Sequence, residues 1–299
     1  MNANHTTPKQ LLRIAGTSRQ KVGDGFEIRR ALPGPEIEWI NPYLVLDHAG
    51  PTEIAPSNTP RGVDEHPHKG FETVTVLYQG EIEHRDSSGN NGLLKAGDVQ
   101  WMTAASGIVH EEKHGKEFTR KGGTLELVQL WVNLPAAHKT EKPGYQDIRS
   151  EDIPVIPLES GGFVRVIAGD YNGTRGAART FTHVTLFDVK LEAGTEIAIP
   201  SRSGHLAGLY VLRGELALEN GETLSEGQIA AYAPDGDTVP IRATSTARFL
   251  VIGGEPINEP VFSYGPFVMN SEEEIRQAFD DYRTGRMGTL DIRIKSGDE

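Results

Sequence analysis

Two short stretches hold the side chains best suited to chemistry. HPHKGFE (66–72) places His66 and His68 two residues apart, and GIVHEEKHG (107–115) holds His110, Glu111, Glu112 and His114. The second contains a literal H-E-x-x-H, in which two histidines of a zinc protease bind the ion and the glutamate serves as base. That arrangement needs a helix, where His110 and His114 lie one turn and about 6 Å apart. The segment is a poor helix: glycines close it at Gly107 and Gly115, Ile108 and Val109 are β-branched, and nothing at its start looks like an N-cap followed by an apolar helical face. On a strand the two histidines stand roughly 13 Å apart and cannot share an ion. His110 and Glu112 then face one way and Glu111 the other. His66 and His68 also share a face of an extended segment, because Pro67 disfavours the helical conformation at His66 and fixes its own φ. Two H-x-[HE] dyads therefore offer three imidazoles and a carboxylate, His66, His68, His110 and Glu112, to one ion. Such a nitrogen-rich set suits Fe(II), Ni(II), Co(II), Mn(II) or Zn(II) better than Ca(II) or Mg(II), and octahedral coordination leaves two positions open.

The elements that must position these dyads read as β. Val-, Leu-, Thr- and aromatic-rich runs such as FETVTVLYQGEIEHR (71–85), ELVQLWVNL (126–134), GLYVLRGELAL (208–218) and ARFLVIGG (247–254) alternate with turn clusters such as DSSGNNG (86–92) and ENGE (219–222). This pattern predicts antiparallel sandwiches or barrels. One helix is predicted, over 272–283, from the capping box of Ser271 and Glu274, the apolar face of Ile275, Ala278, Phe279 and Tyr282, and Gly285 at the C-terminal cap. Residues 135–154 are polar and proline-bearing and read as a linker. A faint repeat matches VTVLYQGEIEH (74–84) to LYVLRGELALE (209–219), with Gly80 opposite Gly214, and KAGDVQWMTAASG (95–107) to SEGQIAAYAPDG (225–236). Two barrels of one kind explain it.

The chain has 299 residues, no cysteine, and a net charge of −12. Thiolate metal sites, disulfides and cysteine nucleophiles are therefore excluded, and direct nucleic-acid binding is disfavoured. No apolar run approaches the roughly 18 residues of a membrane span, and the start has no secretory signal core, so a cytoplasmic protein is expected.

HPHKGFETVTVLYQG followed by GDVQWMTAASGIVHEE (97–112) closely resembles the pirin family of bicupin metalloproteins. NPYLVLDHAGP (41–51) and GGEPINEPVFSYGPFVMNSEEEI (253–275) resemble further signatures of that family. The resemblance implies an all-β bicupin of two cupin-type antiparallel β-barrels (double-stranded β-helices) with a C-terminal helix. The expected division is a metal-binding domain over 1–140 and a second cupin domain over 141–299. It implies one divalent transition metal per chain, Fe(II) foremost, with Ni, Co, Mn or Zn as alternatives, held by the residues matching His66, His68, His110 and Glu112. It also implies cleavage of a flavonol such as quercetin by dioxygen with release of carbon monoxide, or a non-catalytic iron-dependent role bound to a transcription factor or enzyme.

Most cupins take their carboxylate ligand from a glutamate just after the H-x-H, where Glu72 stands, whereas the pirin ligand matches Glu112. If the pleat runs unbroken, Glu72 also points inward, close to the ligands. In the second half, counting from the matched glycines puts Pro200 and Arg202 at the first dyad and Val239 and Ile241 at the second, with His205 alone nearby. One metal site is expected. Asp47 and His48 are expected to form a buried hydrogen-bonded pair, Trp101 and Met102 to be core or pocket lining, and His114 to be exposed. Glu112 is the ligand able to loosen and take the 3-hydroxyl proton of a chelating flavonol, so it is also the candidate catalytic base.

Overall fold

The computed structural model describes residues 6–24 and 26–290; the outermost ends of the two expected domains lie outside them. Each half is a barrel made of a large sheet facing a small one. In the first, strands Gly144–Ile148, Val99–Thr103, Phe71–Gln79, Gly123–Asn133, Tyr43–Ile54, Phe26–Leu32 and Ser18–Val22 neighbour one another in that order. Facing them are Gly62–His68, Ile108–His114, Glu81–Asp86 and Asn91–Lys95. The second half repeats this order. Leu206–Arg213 takes the place of Phe71–Gln79, and Glu196–Pro200 pairs with Thr238–Ala243 as Gly62–His68 pairs with Ile108–His114. Gly80 and Gly214 turn the chain at the same point of the two barrels, at φ +91° and +79°, where an L side chain is strained.

The halves exchange segments. Gly144–Ile148, inside the polar stretch read as a linker, pairs with Val99–Thr103 and forms the edge of the first large sheet. Its composition hid a strand because an edge strand needs little apolar character. Reciprocally, Leu11–Ala15 pairs with Ile229–Tyr232 of the second barrel. The large sheets pack against each other through a shared core that includes Val74, Val76, Trp101, Val128, Leu130 and Val132 from one side and Leu186, Tyr210, Leu250 and Ile252 from the other. At roughly 1.5–3 kcal/mol for each large aliphatic side chain removed from water, this seam holds the barrels as one unit.

The helix Glu272–Arg283 forms as its sequence predicts. Ser271 Oγ accepts from the Glu274 amide at 3.2 Å, the Glu274 carboxylate reaches back to the Asn270 amide at 2.9 Å, and Gly285 follows at φ +74°. A six-residue helix, Lys116–Lys121, was not foreseen. The long helix and the Phe262–Met269 hairpin return to the first barrel, packing Ile275, Ala278, Phe267 and Met269 on Val109, the neighbour of His110.

Two expectations are corrected here. His114 is buried, not exposed: it is 1% accessible and lies edge-on to Phe26 and Phe118, with ring centroids 5.6 and 5.5 Å away. Asp47 and His48 are both buried but are not bonded to each other, because neighbours on a strand face opposite ways. Asp47 points into the first barrel and binds Arg30 at 2.6 and 2.7 Å. His48 points into the seam, 3.1 Å from Glu126 Oε1 and 3.1 Å from the Tyr210 hydroxyl.

Burial, with Arg61 and Lys113 nearby, lowers the His114 pKa to about 4. Its native pKa lies below the unfolded value, so the neutral fold is favoured above pH 6.5 and loses stability as pH falls from there toward 4. In His114→Leu, the stability lost between pH 7 and 4.5 should therefore shrink by about 2 kcal/mol relative to wild type, read by denaturant unfolding at both pH values. An unchanged pH dependence contradicts this placement.

Candidate metal centre

The two dyads meet across one strand pair. Gly62–His68 runs antiparallel to Ile108–His114 with His66 directly opposite His110, Pro67 opposite Val109 and His68 opposite Ile108. Directly opposed residues share a face, so the register brings three imidazoles together in the barrel lumen. Ring centroids are 4.3 Å apart for His66 and His110, 4.7 Å for His66 and His68, and 5.0 Å for His68 and His110. One ligand nitrogen from each lies within 4.8 Å of the others, and among the described residues no other group of three His, Asp or Glu side chains does this.

Tautomers follow from the outer partners. His66 Nδ1 lies 2.8 Å from the Asp64 carbonyl and His68 Nδ1 3.4 Å from the Pro266 carbonyl, so each Nδ1–H donates outward. The two Nε2 atoms, left with free lone pairs, stand 3.1 Å apart. Two acceptor nitrogens gain nothing from such closeness. Ligands about 2.1 Å from one ion at right angles, however, stand about 3 Å apart. His110 is fully buried and neither ring nitrogen has a hydrogen-bond partner. Burial first, then the neighbouring imidazoles, pushes His68 and His110 well below the usual histidine range, which keeps them neutral and ready to ligate. An orphaned imidazole in a converging set fits a divalent transition metal.

Glu112 stands outside that close group. The pairing slips between His110 and Glu112, and the carboxylate is drawn to the far wall of the lumen. There Gln129 Nε2 donates to both oxygens at 3.1 and 3.0 Å, and the Thr75 hydroxyl lies 3.4 Å away. A cavity of ≈30 Å³, room for about one or two waters, adjoins it and is lined by Glu112, Gln129, Asp47, Phe26 and Val63 among others. Glu111 turns outward to Arg85, as the strand reading requires.

Glu72 is placed against the inward expectation. The pleat breaks at Gly70, at φ +89°, where a Cβ would clash with the Val268 carbonyl. Phe71, Thr73 and Thr75 then face the lumen and Glu72 faces the seam, accepting from the Thr103 hydroxyl at 2.6 Å. Trp101 also lies in the seam, whereas Met102 packs with Ala104, Ile108 and Tyr145. Three lumen residues escaped notice: Gln129, Thr75 and His84, the last opposite Glu112 on the neighbouring strand and 2.8 Å from Gln100 Nε2. The polar Gln129 inside the apolar run ELVQLWVNL was the available signal. In the second barrel the equivalent strands bring together Ile199 with Val239 and Ile197 with Ile241, closing its lumen with apolar side chains.

The family profile for pirin matches residues 25–132, and that for the pirin C-terminal cupin domain matches 186–288. The chain belongs to the pirin family. It is 47% identical, over 93% of its length and 98% of the relative's, to a Pseudomonas aeruginosa pirin relative provisionally named quercetin 2,3-dioxygenase. To the Homo sapiens pirin it is 36% identical over 90% of each chain. A solved structure described as quercetin 2,3-dioxygenase from Acinetobacter baumannii superposes with TM-score 0.92 at 41% identity, covering 95% of this chain and 100% of that one.

Burial pushes the Glu72 carboxyl up to about 7, against the bond from Thr103. A raised carboxyl pKa favours the fold at low pH, and that stability is lost as pH rises through 7. Glu72→Gln should therefore abolish about 2 kcal/mol of the loss between pH 5.5 and 8 and keep its metal. Glu111→Gln should also keep it, whereas His110→Ala should lose most of it, by metal analysis of the purified proteins. Metal loss in Glu72→Gln would place Glu72 at the ion.

Proposed function

We propose that the chain is a metal-dependent dioxygenase that cleaves a flavonol such as quercetin, with His66, His68, His110 and Glu112 as its metal set and Glu112 as its base. The observation that carries the proposal is the orphaned, fully buried His110 between two imidazoles whose lone pairs converge on the same point. Bound there, Fe(II), or Ni(II), Co(II), Mn(II) or Zn(II) in its place, supplies a Lewis acid and an open coordination position. The named relatives support the substrate class.

The chain's own residues account for the rest. Of the three imidazoles His66 is the least buried, and the space beyond Glu112 is too small for fused rings, so the substrate enters from the His66 side. The 3-hydroxyl proton passes to the Glu112 carboxylate. Gln129 clamps both of its oxygens and fixes their direction. Trp131 and Phe71, packed on His68, keep water from the ring behind it. Dioxygen adds across the carbons flanking carbon 3, which leaves as carbon monoxide, so both oxygen atoms end in the opened product.

A second reading, a non-catalytic iron-dependent regulator, has its own observation. The hairpin whose Pro266 carbonyl contacts His68 carries Tyr264, 69% accessible, and Phe262, which tie the metal's surroundings to an exposed aromatic surface.

Aerobic quercetin turnover with carbon monoxide release is expected for the chain loaded with at least one of Fe(II), Ni(II), Co(II) or Mn(II). Glu112→Gln should lower turnover per bound ion by about 10²–10⁴-fold. Near wild-type turnover per ion would remove the base role, and no turnover with any of the metals would leave the regulator reading.

A further inference from the structure

The mouth of the second barrel holds a different set of groups. A cleft of ≈530 Å³ opens between the loop that follows Glu196–Pro200, the hairpin of Asp170–Tyr171 and Thr174–Arg175, and the segment leading into Val184–Leu191. Its charged and titratable lining is Arg175, Arg202, His183, His205, Asp170 and Asp237.

The two acids are already engaged with backbone. Asp170 Oδ1 accepts from the Gly173 amide at 2.9 Å and Asp237 Oδ1 from the Thr7 amide at 2.7 Å. Neither guanidinium is in an ion pair among the described residues: Arg175 stands opposite Asp170 on the hairpin without a bond to it, and Arg202 meets only the His183 ring. That meeting is no substitute for one. Arg202 Nη1 lies 3.5 Å from Nδ1 and 3.4 Å from Nε2, a near-equal spacing that puts it off both lone-pair directions. Several other arginines of the chain are ion-paired, as in Arg30 with Asp47, Arg165 and Arg248 with Asp188, and Arg213 with Glu126.

The cleft is also held in shape. Lys9 is buried, and its ammonium donates to the carbonyls of Arg202, His205 and Pro234 at 3.2, 2.9 and 2.8 Å, which pins the loop, with Asp235 and Asp237 as the acids nearest that charge. His205 feels the result: burial lowers its pKa, then Arg202, with His183 and Lys9 in the same sense and Glu255 opposing.

We infer that this cleft binds a small organic anion bearing a carboxylate or phosphate group, gripped by Arg175 and Arg202 with His183 and His205 beside them. Guanidinium forks match both groups, and the volume lies in the range of small-molecule sites rather than of a lone inorganic ion. The apolar lumen beneath keeps the ligand at the mouth, away from the imidazoles of the first barrel.

The test titrates the full chain with inorganic phosphate and, separately, with succinate, at constant ionic strength balanced with chloride. Calorimetry reports affinity, and the His205 imidazole resonance reports the place. Saturable binding of at least one probe is expected, with the His205 pKa rising. Preference for phosphate or for succinate would assign the phosphorylated or the carboxylic class. The Arg175→Ala/Arg202→Ala double variant should weaken binding by about 10–100-fold, and Arg202→Gln alone by less. Both side chains are exposed, so these variants should keep the wild-type unfolding midpoint and metal content. No saturable binding of either probe, or binding that survives the double variant, overturns the inference.

Discussion

Three imidazole lone pairs aimed at one point inside a barrel form a costly arrangement, and the surrounding structure serves to keep it. Unpaired buried nitrogen is destabilising by about 1–3 kcal/mol per group, a cost that an ion at the point of convergence would offset for His110. The Asp64 and Pro266 carbonyls hold the outer nitrogens of His66 and His68, which leaves both Nε2 atoms free for the ion. Pro266 comes from the far end of the chain. That explains why the last hairpin and helix return to pack on Val109 instead of completing the second barrel.

The two barrels share a strand order and differ in what fills them. Where the first sets His66 opposite His110, the second sets Ile199 opposite Val239 and seals its lumen. A repeated scaffold thus supports one converging imidazole triad and one apolar core, and the exchanged edge strands and the common seam make each barrel depend on the other. Within the seam, burial alone would raise the Glu126 carboxyl, yet bonds from His48, Arg213 and Gln79 hold it at about 2, and the Arg213 bond is one of the polar ties between the halves, beside Arg165 to the Gly97 carbonyl and Tyr43 to the Thr185 carbonyl.

Much of this was legible in the sequence because it depends on local period. Strand spacing alone set His66 beside His68 and rejected the helical protease motif, and the matched glycines Gly80 and Gly214 disclosed the repeated barrel. The misplacements have a common cause. An unbroken pleat would turn Glu72 inward, but the chain breaks at Gly70, where only glycine fits beside the Val268 carbonyl, nearly two hundred residues away along the chain. His114 was read as surface because its phenyl neighbours come from Phe26 and Phe118, on other elements. Gln129 and the edge strand Gly144–Ile148 were likewise decided by partners that no local pattern names.

The proposed ion sits where the three imidazoles converge. Anomalous diffraction from crystals of the full chain loaded with Fe(II) or Ni(II) tests it directly. One peak per chain is expected, about 2.0–2.2 Å from His66 Nε2, His68 Nε2 and a ring nitrogen of His110. A peak at His114, a peak inside the second barrel, or bare imidazoles in a metal-loaded crystal would contradict it.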